Sequence, residues 1–221
     1  MAGSFYDHLM AQTALRDGYW SPWPELTTLS SNFMTFFCHE AVQSIMNKNY
    51  YQRWTREGVV DSAALSKVDE LAVKVQSILQ KSDIQNAISA VHKVGASSFS
   101  VQEALIGEME MLGFESEKKG LFADFDVSGI RPDYFRNMEG GGILFEVERG
   151  KTIANNMDLL DVWKTHICQE AKHLFLLVPI IRTTQKGGEQ KTFNSVEKRI
   201  GAFFAPNVPS IDVASVHLFG Y

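Results

Sequence analysis

Arg131-Pro132-Asp133-Tyr134-Phe135, followed across a Gly-rich turn by Ile143-Leu144-Phe145-Glu146-Val147-Glu148, is the stretch that decides the fold. Residues 130–136 and 142–149 read as two strands around Met138-Glu139-Gly140-Gly141. In the second strand, alternation sends Ile143, Phe145 and Val147 to one face. Glu146 and Glu148 go to the other, about 7 Å apart along the strand. A turn centred on Glu139-Gly140 sets opposite one another residues whose numbers total 279, which brings Asp133 across from Glu146 on the neighbouring strand, about 5 Å away. A slip of one residue would turn Asp133 to the wrong face. Three carboxylates placed this way repel. Raised pKa values, solvent, or the nearby cations Arg131, Arg136, Arg149 and Lys151 relieve that repulsion. So does a hard divalent cation with oxygen ligands, Mg²⁺ above all.

Working outward, a helix is expected to open at the Ser100-Val101-Gln102-Glu103 capping box and stop at Gly113. Its apolar stripe is Val101, Ala104, Leu105, Met109 and Leu112, and Glu108 falls in the middle of that stripe. A carboxylate there needs a partner, a metal, or a route to water along the stripe's edge. After the hairpin, residues 155–171 read as helical and 174–181 as a continuously apolar strand of the kind buried on both faces. A polar Gly-containing loop over 182–191, a helix over 194–203 and a strand over 212–219 follow. This order is α/β.

Before residue 95 the pattern is mostly helical: residues 32–54, a helix capped by Asp61, and one opened by Ser82-Asp83-Ile84-Gln85. Residues 1–33 are irregular and aromatic-rich, with Pro22 and Pro24. Gly95-Ala96-Ser97-Ser98 is the best linker, which divides the chain into a helical region, 1–95, and an α/β region, 96–221.

The whole chain, 221 residues with 45% hydrophobic and 21% charged side chains, is ordinary for a globular protein and excludes disorder and a disulfide scaffold. A net charge of -5 excludes a basic coat, though not a local basic patch. Residues 1–116 hold 8 basic and 13 acidic side chains, so the second half is balanced despite its acidic cluster. Cys38 and Cys168, far apart, read as reduced thiols. No signal peptide and no apolar run of spanning length is evident, so a cytoplasmic protein with no membrane partner is expected.

A helix with an inward Glu, Pro-Asp on a strand, an acidic-x-acidic strand, a helix and an apolar strand together resemble the PD-(D/E)xK nuclease superfamily. The match is Pro132-Asp133, twelve intervening residues after Asp133, then Glu146-Val147-Glu148. It covers roughly residues 100–181, and Glu148 stands where the motif has Lys, as in a branch of type II restriction endonucleases. The resemblance implies a restriction-endonuclease-like core, a mixed central β-sheet flanked by helices, over 96–221. It implies Mg²⁺-dependent cleavage of double-stranded DNA, with Mn²⁺ as a substitute. Asp133, Glu146 and the Val147 carbonyl would bind metal. Glu148 would orient or deprotonate the attacking water, and Glu108 would bound the metal site. A chain cutting both strands is expected to work as a homodimer, with the N-terminal helices supplying the dimer contact, the base-reading surface, or both. The alternatives are a non-specific defence or repair nuclease, a catalytically silent nucleic-acid-binding or interaction module of the same fold, and a Mg²⁺ enzyme acting on a small phosphate ester.

Lys151, Lys164, Arg182, Lys186 and Lys191 are the candidate contacts to DNA phosphates. Lys164 is expected on the apolar side of its helix with Met157, Leu160, Ile167 and Cys168, while Asp158, Asp161, Thr165 and Gln169 read as a solvated face. Tyr50, Tyr51 and Trp54 beside Arg53 and Arg56 read as helix core or as a stacking surface. Gly150-Lys151-Thr152 lacks the earlier Gly of a P-loop, and His166-Ile167-Cys168 cannot converge on one metal from a helix.

Overall fold

The computed structural model describes residues 50–56, 61–117, 120–123, 131–184 and 187–221, all within one compact unit. The strands are β1 (Tyr51–Thr55), β2 (Glu115–Ser116), β3 (Tyr134–Arg136), β4 (Gly142–Val147), β5 (Ala171–Val178), β6 (Arg182–Thr183), β7 (Glu189–Gln190) and β8 (Ser215–Gly220). The helices are α1 (Ser62–Leu79), α2 (Ser82–Val91), α3 (Ser98–Met111), α4 (Met157–Ile167) and α5 (Thr192–Phe203).

The protein is α/β, built on a mixed six-stranded sheet of order β1-β8-β5-β4-β3-β2. β4, β5 and β8 are parallel neighbours; β1 joins β8 and β3 joins β4 antiparallel, and β2 pairs antiparallel with β3. The parallel strands are joined through α4 and α5, as parallel pairing requires. β5 is apolar along most of its length because it lies between two partners and beneath helices on both sides. One face carries Ile143, Phe145, Val147, Phe175, Leu177 and Phe219 against α1, α2 and α3. The other carries Leu144, Leu174, Leu176, Val216 and Leu218 against Val162 of α4 and Val196 and Ile200 of α5. The result is a three-layer arrangement.

The β3–β4 hairpin has the expected register, with Tyr134 opposite Phe145, Phe135 opposite Leu144 and Arg136 opposite Ile143. Gly140 and Gly141, both at positive φ, make its turn. Gly142 admits the close packing of Phe135 and the Glu170 carbonyl, which a Cβ would meet at 2.7 and 2.8 Å.

Elsewhere local patterns mislead. Residues 51–55, expected to end a helix, form the edge strand β1, paired with β8. Tyr51 stacks toward Phe219, and Trp54 lies parallel to Phe204. The remainder of that expected helix, and residues 1–33 with it, lie outside the described residues. The helices open at Lys81 and Ser97, not at the capping boxes, and neither end has a side-chain cap. The division expected at residue 95 falls inside one structural unit: β1 completes the sheet, and α1 and α2 cover its face.

Candidate functional site

The parallel strands β4, β5 and β8 all end on the same side of the sheet, at Val147, Val178 and Gly220. The carboxyl ends of parallel strands are where open α/β sheets build their sites. β3 runs the other way, so its first residues reach the same end.

The hairpin register carries Asp133 to Glu146. The Val147 N–H donates to Asp133 Oδ2 at 2.7 Å, and the Asp133 N–H points to Glu146 Oε2 at 3.4 Å. Glu146 lies on the α4 side with Leu144, as alternation requires, and is 3% exposed. Lys164, from α4, donates to Glu146 Oε1 at 2.7 Å and to Asp161 Oδ1 at 3.1 Å. Glu148, the first residue after β4, accepts a bond from Thr152 Oγ1 at 3.2 Å and feels the charges of Asp161 and Asp133. The Gln102 side chain of α3 bonds to Asp133, and the Gln102 backbone carbonyl accepts from the Tyr134 hydroxyl at 2.5 Å.

Four carboxylates thus gather near one ammonium, which pairs with two of them, Glu146 and Asp161. Burial raises the pKa of Asp133, Glu146, Glu148 and Asp161; repulsion by other acids of the cluster adds to it at Glu146, Glu148 and Asp161, and repulsion by Glu117 adds to it at Asp133. Glu148 is pushed up to about 8, by burial and then by the charges of Asp161 and Asp133. Asp161 rises to about 6, burial outweighing Lys164. For Lys164, burial pulls the pKa down, and Glu146 and Asp161 more than restore it, so the ammonium stays charged.

The face assignment of α4 expected from its apolar residues holds at Cys168, which is buried, and Gln169, which is exposed, and fails at Leu160, Asp158, Asp161 and Thr165. Asp158, Asp161 and Thr165 are buried, while Leu160 and Trp163 are about half exposed. Asp158 faces Arg199 of α5 at 3.0 Å, and Thr165 Oγ1 bonds the Asp161 carbonyl. The polar stripe points inward because it covers the acidic end of β4. Asp161 is therefore a site residue that the amphipathic reading missed, and Gln102 and Thr152 are two more. The signal was present: Asp161 and Lys164 are an i, i+3 pair.

Glu108 is not brought to this cluster. It pairs with Lys81 at 2.7 Å, which satisfies its place on the stripe of α3. Lys151 and Arg182 meet across a cleft beside the cluster. Lys191 lies exposed at the start of α5, and Lys186 is outside the described residues. His166 Nδ1 accepts from the Asp212 N–H, His173 is buried on Ser215, and Cys168 is a buried free thiol.

Among the described residues, no three His, Cys, Asp or Glu side chains converge closely enough to hold a metal ion as they stand. Lys164 occupies one oxygen of Glu146. The donor chemistry nonetheless suits a hard cation. Every candidate ligand is oxygen, carboxylates outnumber cations, and Asp161 Oδ2 is buried without a hydrogen-bond partner. A cation entering here would replace the protons that burial otherwise demands.

No protein-family model matches the chain, and no curated protein matches its sequence. Among the described residues no helix is long and apolar enough to cross a membrane.

Proposed function

We propose that the chain is a metal-dependent endonuclease of double-stranded DNA, with a restriction-endonuclease-like core and a homodimeric, cytoplasmic working state. The observation that supports this best is the register: Asp133 stands across from Glu146, Glu148 follows the end of the strand beside Asp133 and Asp161, and a lysine ammonium lies on Glu146. This is the acid-acid-cation set of the PD-(D/E)xK pattern, with Lys164 of α4 supplying the positive charge that Glu148 replaces in the strand.

In this reading Asp133, Glu146 and the Val147 carbonyl hold Mg²⁺ or Mn²⁺, with Asp161 close by. The bound ion would polarise the phosphodiester and acidify water. Glu148 is the proton acceptor: Thr152 fixes one of its oxygens, and its raised pKa suits proton transfer near neutral pH. Lys164 sets the charge of Glu146 and presents an ammonium to the phosphate. Gln102 and the Val147 N–H orient Asp133.

A second reading, the silent binding module, draws on one observation: Lys164 already satisfies Glu146 and Asp161 without a metal. Incubation with plasmid and phage DNA, with Mg²⁺, Mn²⁺ or chelator, separates the readings. Metal-dependent discrete fragments, lost in Glu146→Gln and Asp133→Asn, support a site-specific endonuclease. A metal-dependent smear supports a non-specific nuclease. Intact DNA in every condition, from folded protein, supports the silent module.

A further inference from the structure

Beside the acidic cluster lies an open cleft of about 530 Å³, formed where the α2–α3 connection, the residues after β4 and the start of β6 meet. Lys93, Arg149, Lys151 and Arg182 line it, and no acidic side chain does. Lys93 and Lys151 are exposed, and among the described residues no carboxylate pairs with Lys93, Lys151 or Arg182. This concentration of positive charge belongs to a chain whose net charge is -5. Arg149 is 6% exposed, and its guanidinium donates to the carbonyls of Ala96 and Lys93. It thereby ties the α2–α3 connection to the end of β4 and holds a charge beneath the cleft, with its Nε buried and unbonded. Gly95 and Gly150 line the same cleft, and a Cβ at either would meet nothing within 4 Å, so backbone approach there is open.

The cleft and the candidate site are built on adjacent residues of one segment. Glu148 and Thr152 bond to each other on the acidic side, and the residues between them, Arg149 to Lys151, line the basic side. The five residues Glu148 to Thr152 therefore place one carboxylate on the acidic cluster and two cations on the cleft. Repulsion keeps a polyanion away from the first unless something grips it at the second.

We propose that this cleft is a phosphate-binding subsite that grips the backbone of the DNA strand next to the bond presented to the acidic cluster. The inference rests on the nuclease reading for the position of that bond, but the grip itself needs no cleavage. Its volume is far above that of a lone phosphate and within the range of ligand sites, which favours a run of strand over a free anion.

The test is binding of a labelled 30-base-pair duplex in chelator, over 50–300 mM salt. A Lys93→Ala/Lys151→Ala/Arg182→Ala triple variant is compared with the wild type and with a charge-matched Lys67→Ala/Lys74→Ala/Lys198→Ala control. All substituted lysines are exposed, and thermal midpoints check the folds. Loss of three phosphate contacts should reduce the slope of log K against log salt by about 2 to 3. Affinity at 100 mM salt should fall at least tenfold, and the control should stay within threefold of wild type. A triple variant whose slope matches that of the control overturns the proposal, as does a wild type that binds no duplex. Full competition by millimolar inorganic phosphate would assign the cleft to a free anion and overturn the strand. Failure of the two readings is distinguishable. Triple-variant binding loss in a protein that never cuts DNA leaves the subsite standing without the nuclease. Cutting at unchanged KM in the triple variant leaves the nuclease without the subsite.

Discussion

Replacing Glu148 with glutamine keeps the shape of the side chain and its acceptor for Thr152 and removes the ability to ionise. The carboxyl titrates at about 8 in the fold, against 4.5 for the ordinary group, because it is buried beside Asp161 and Asp133. A folded-state pKa raised in this way means that the native protein holds a proton the unfolded chain has released. Stability from this group is full below pH 4.5 and is lost as pH rises through 8. Between pH 6.5 and 9, with Asp161 already ionised above its pKa of about 6, Glu148 should cost the wild type about 2 kcal/mol. For a chain of this size that is a fall in Tm of about 4–8 °C. The glutamine variant lacks this contribution. Urea or thermal unfolding of both proteins in chelator at the two pH values should therefore show the variant gaining on the wild type by that amount. Mg²⁺ at pH 9 should recover part of the wild-type loss and leave the variant less changed. Parallel pH profiles for the two proteins would refute the reasoning, because Glu148 would then be ionised throughout.

Lys164→Met leaves Glu146 and Asp161 buried with no cation between them. A loss of about 3 kcal/mol is expected at pH 8, shrinking toward pH 5 as the acids take protons, measured by urea unfolding at both pH values. Gly142→Ala drives a methyl into Phe135 and the Glu170 carbonyl and should cost about 2 kcal/mol by the same measurement, without altering the pH profile. Burial lowers His173 to about 4 and His217 to about 3, so both stay neutral in the fold. Their stability contribution is present above pH 6.5 and is lost as pH falls. Between pH 6.5 and 5, His217→Gln should recover up to about 1.5 kcal/mol of the wild-type decline, read from acid-side thermal midpoints.

The hairpin and its register were legible because strand alternation and turn length act over a few residues, and residues 131–148 contain both signals whole. β5 was legible for a similar reason, since a strand buried on both faces writes a continuous apolar run. β1 was not legible. Tyr51-Gln52-Arg53-Trp54-Thr55 carries no helical or strand pattern strong enough to decide, and its partner is β8. The face of α4 was misread because amphipathicity assumes an apolar interior, and beneath this helix the interior is acidic. Glu108 was correctly seen to need a partner, but Lys81 lies 27 residues away in sequence and no spacing rule connects them. Gln102 reaches the site by a tertiary contact that no spacing rule shows, whereas Asp161 with Lys164 at i, i+3 and Thr152 with Glu148 at i, i+4 leave local traces.

The pairing of β1 with β8 has a consequence for how the molecule is made. Each residue of β1 waits for a partner at least 160 positions downstream, and β8 is also the neighbour of β5. At about 5–20 residues per second, the ribosome takes roughly 8–32 seconds to supply it. In the last part of that interval, after β5 is made and before β8 is, the nascent chain has two unsatisfied hydrogen-bonding edges, one of them belonging to its most apolar strand. The sheet closes from the inside last, so the interval before β8 emerges is when this protein is most exposed to self-association and most dependent on whatever shields nascent chains in the cell.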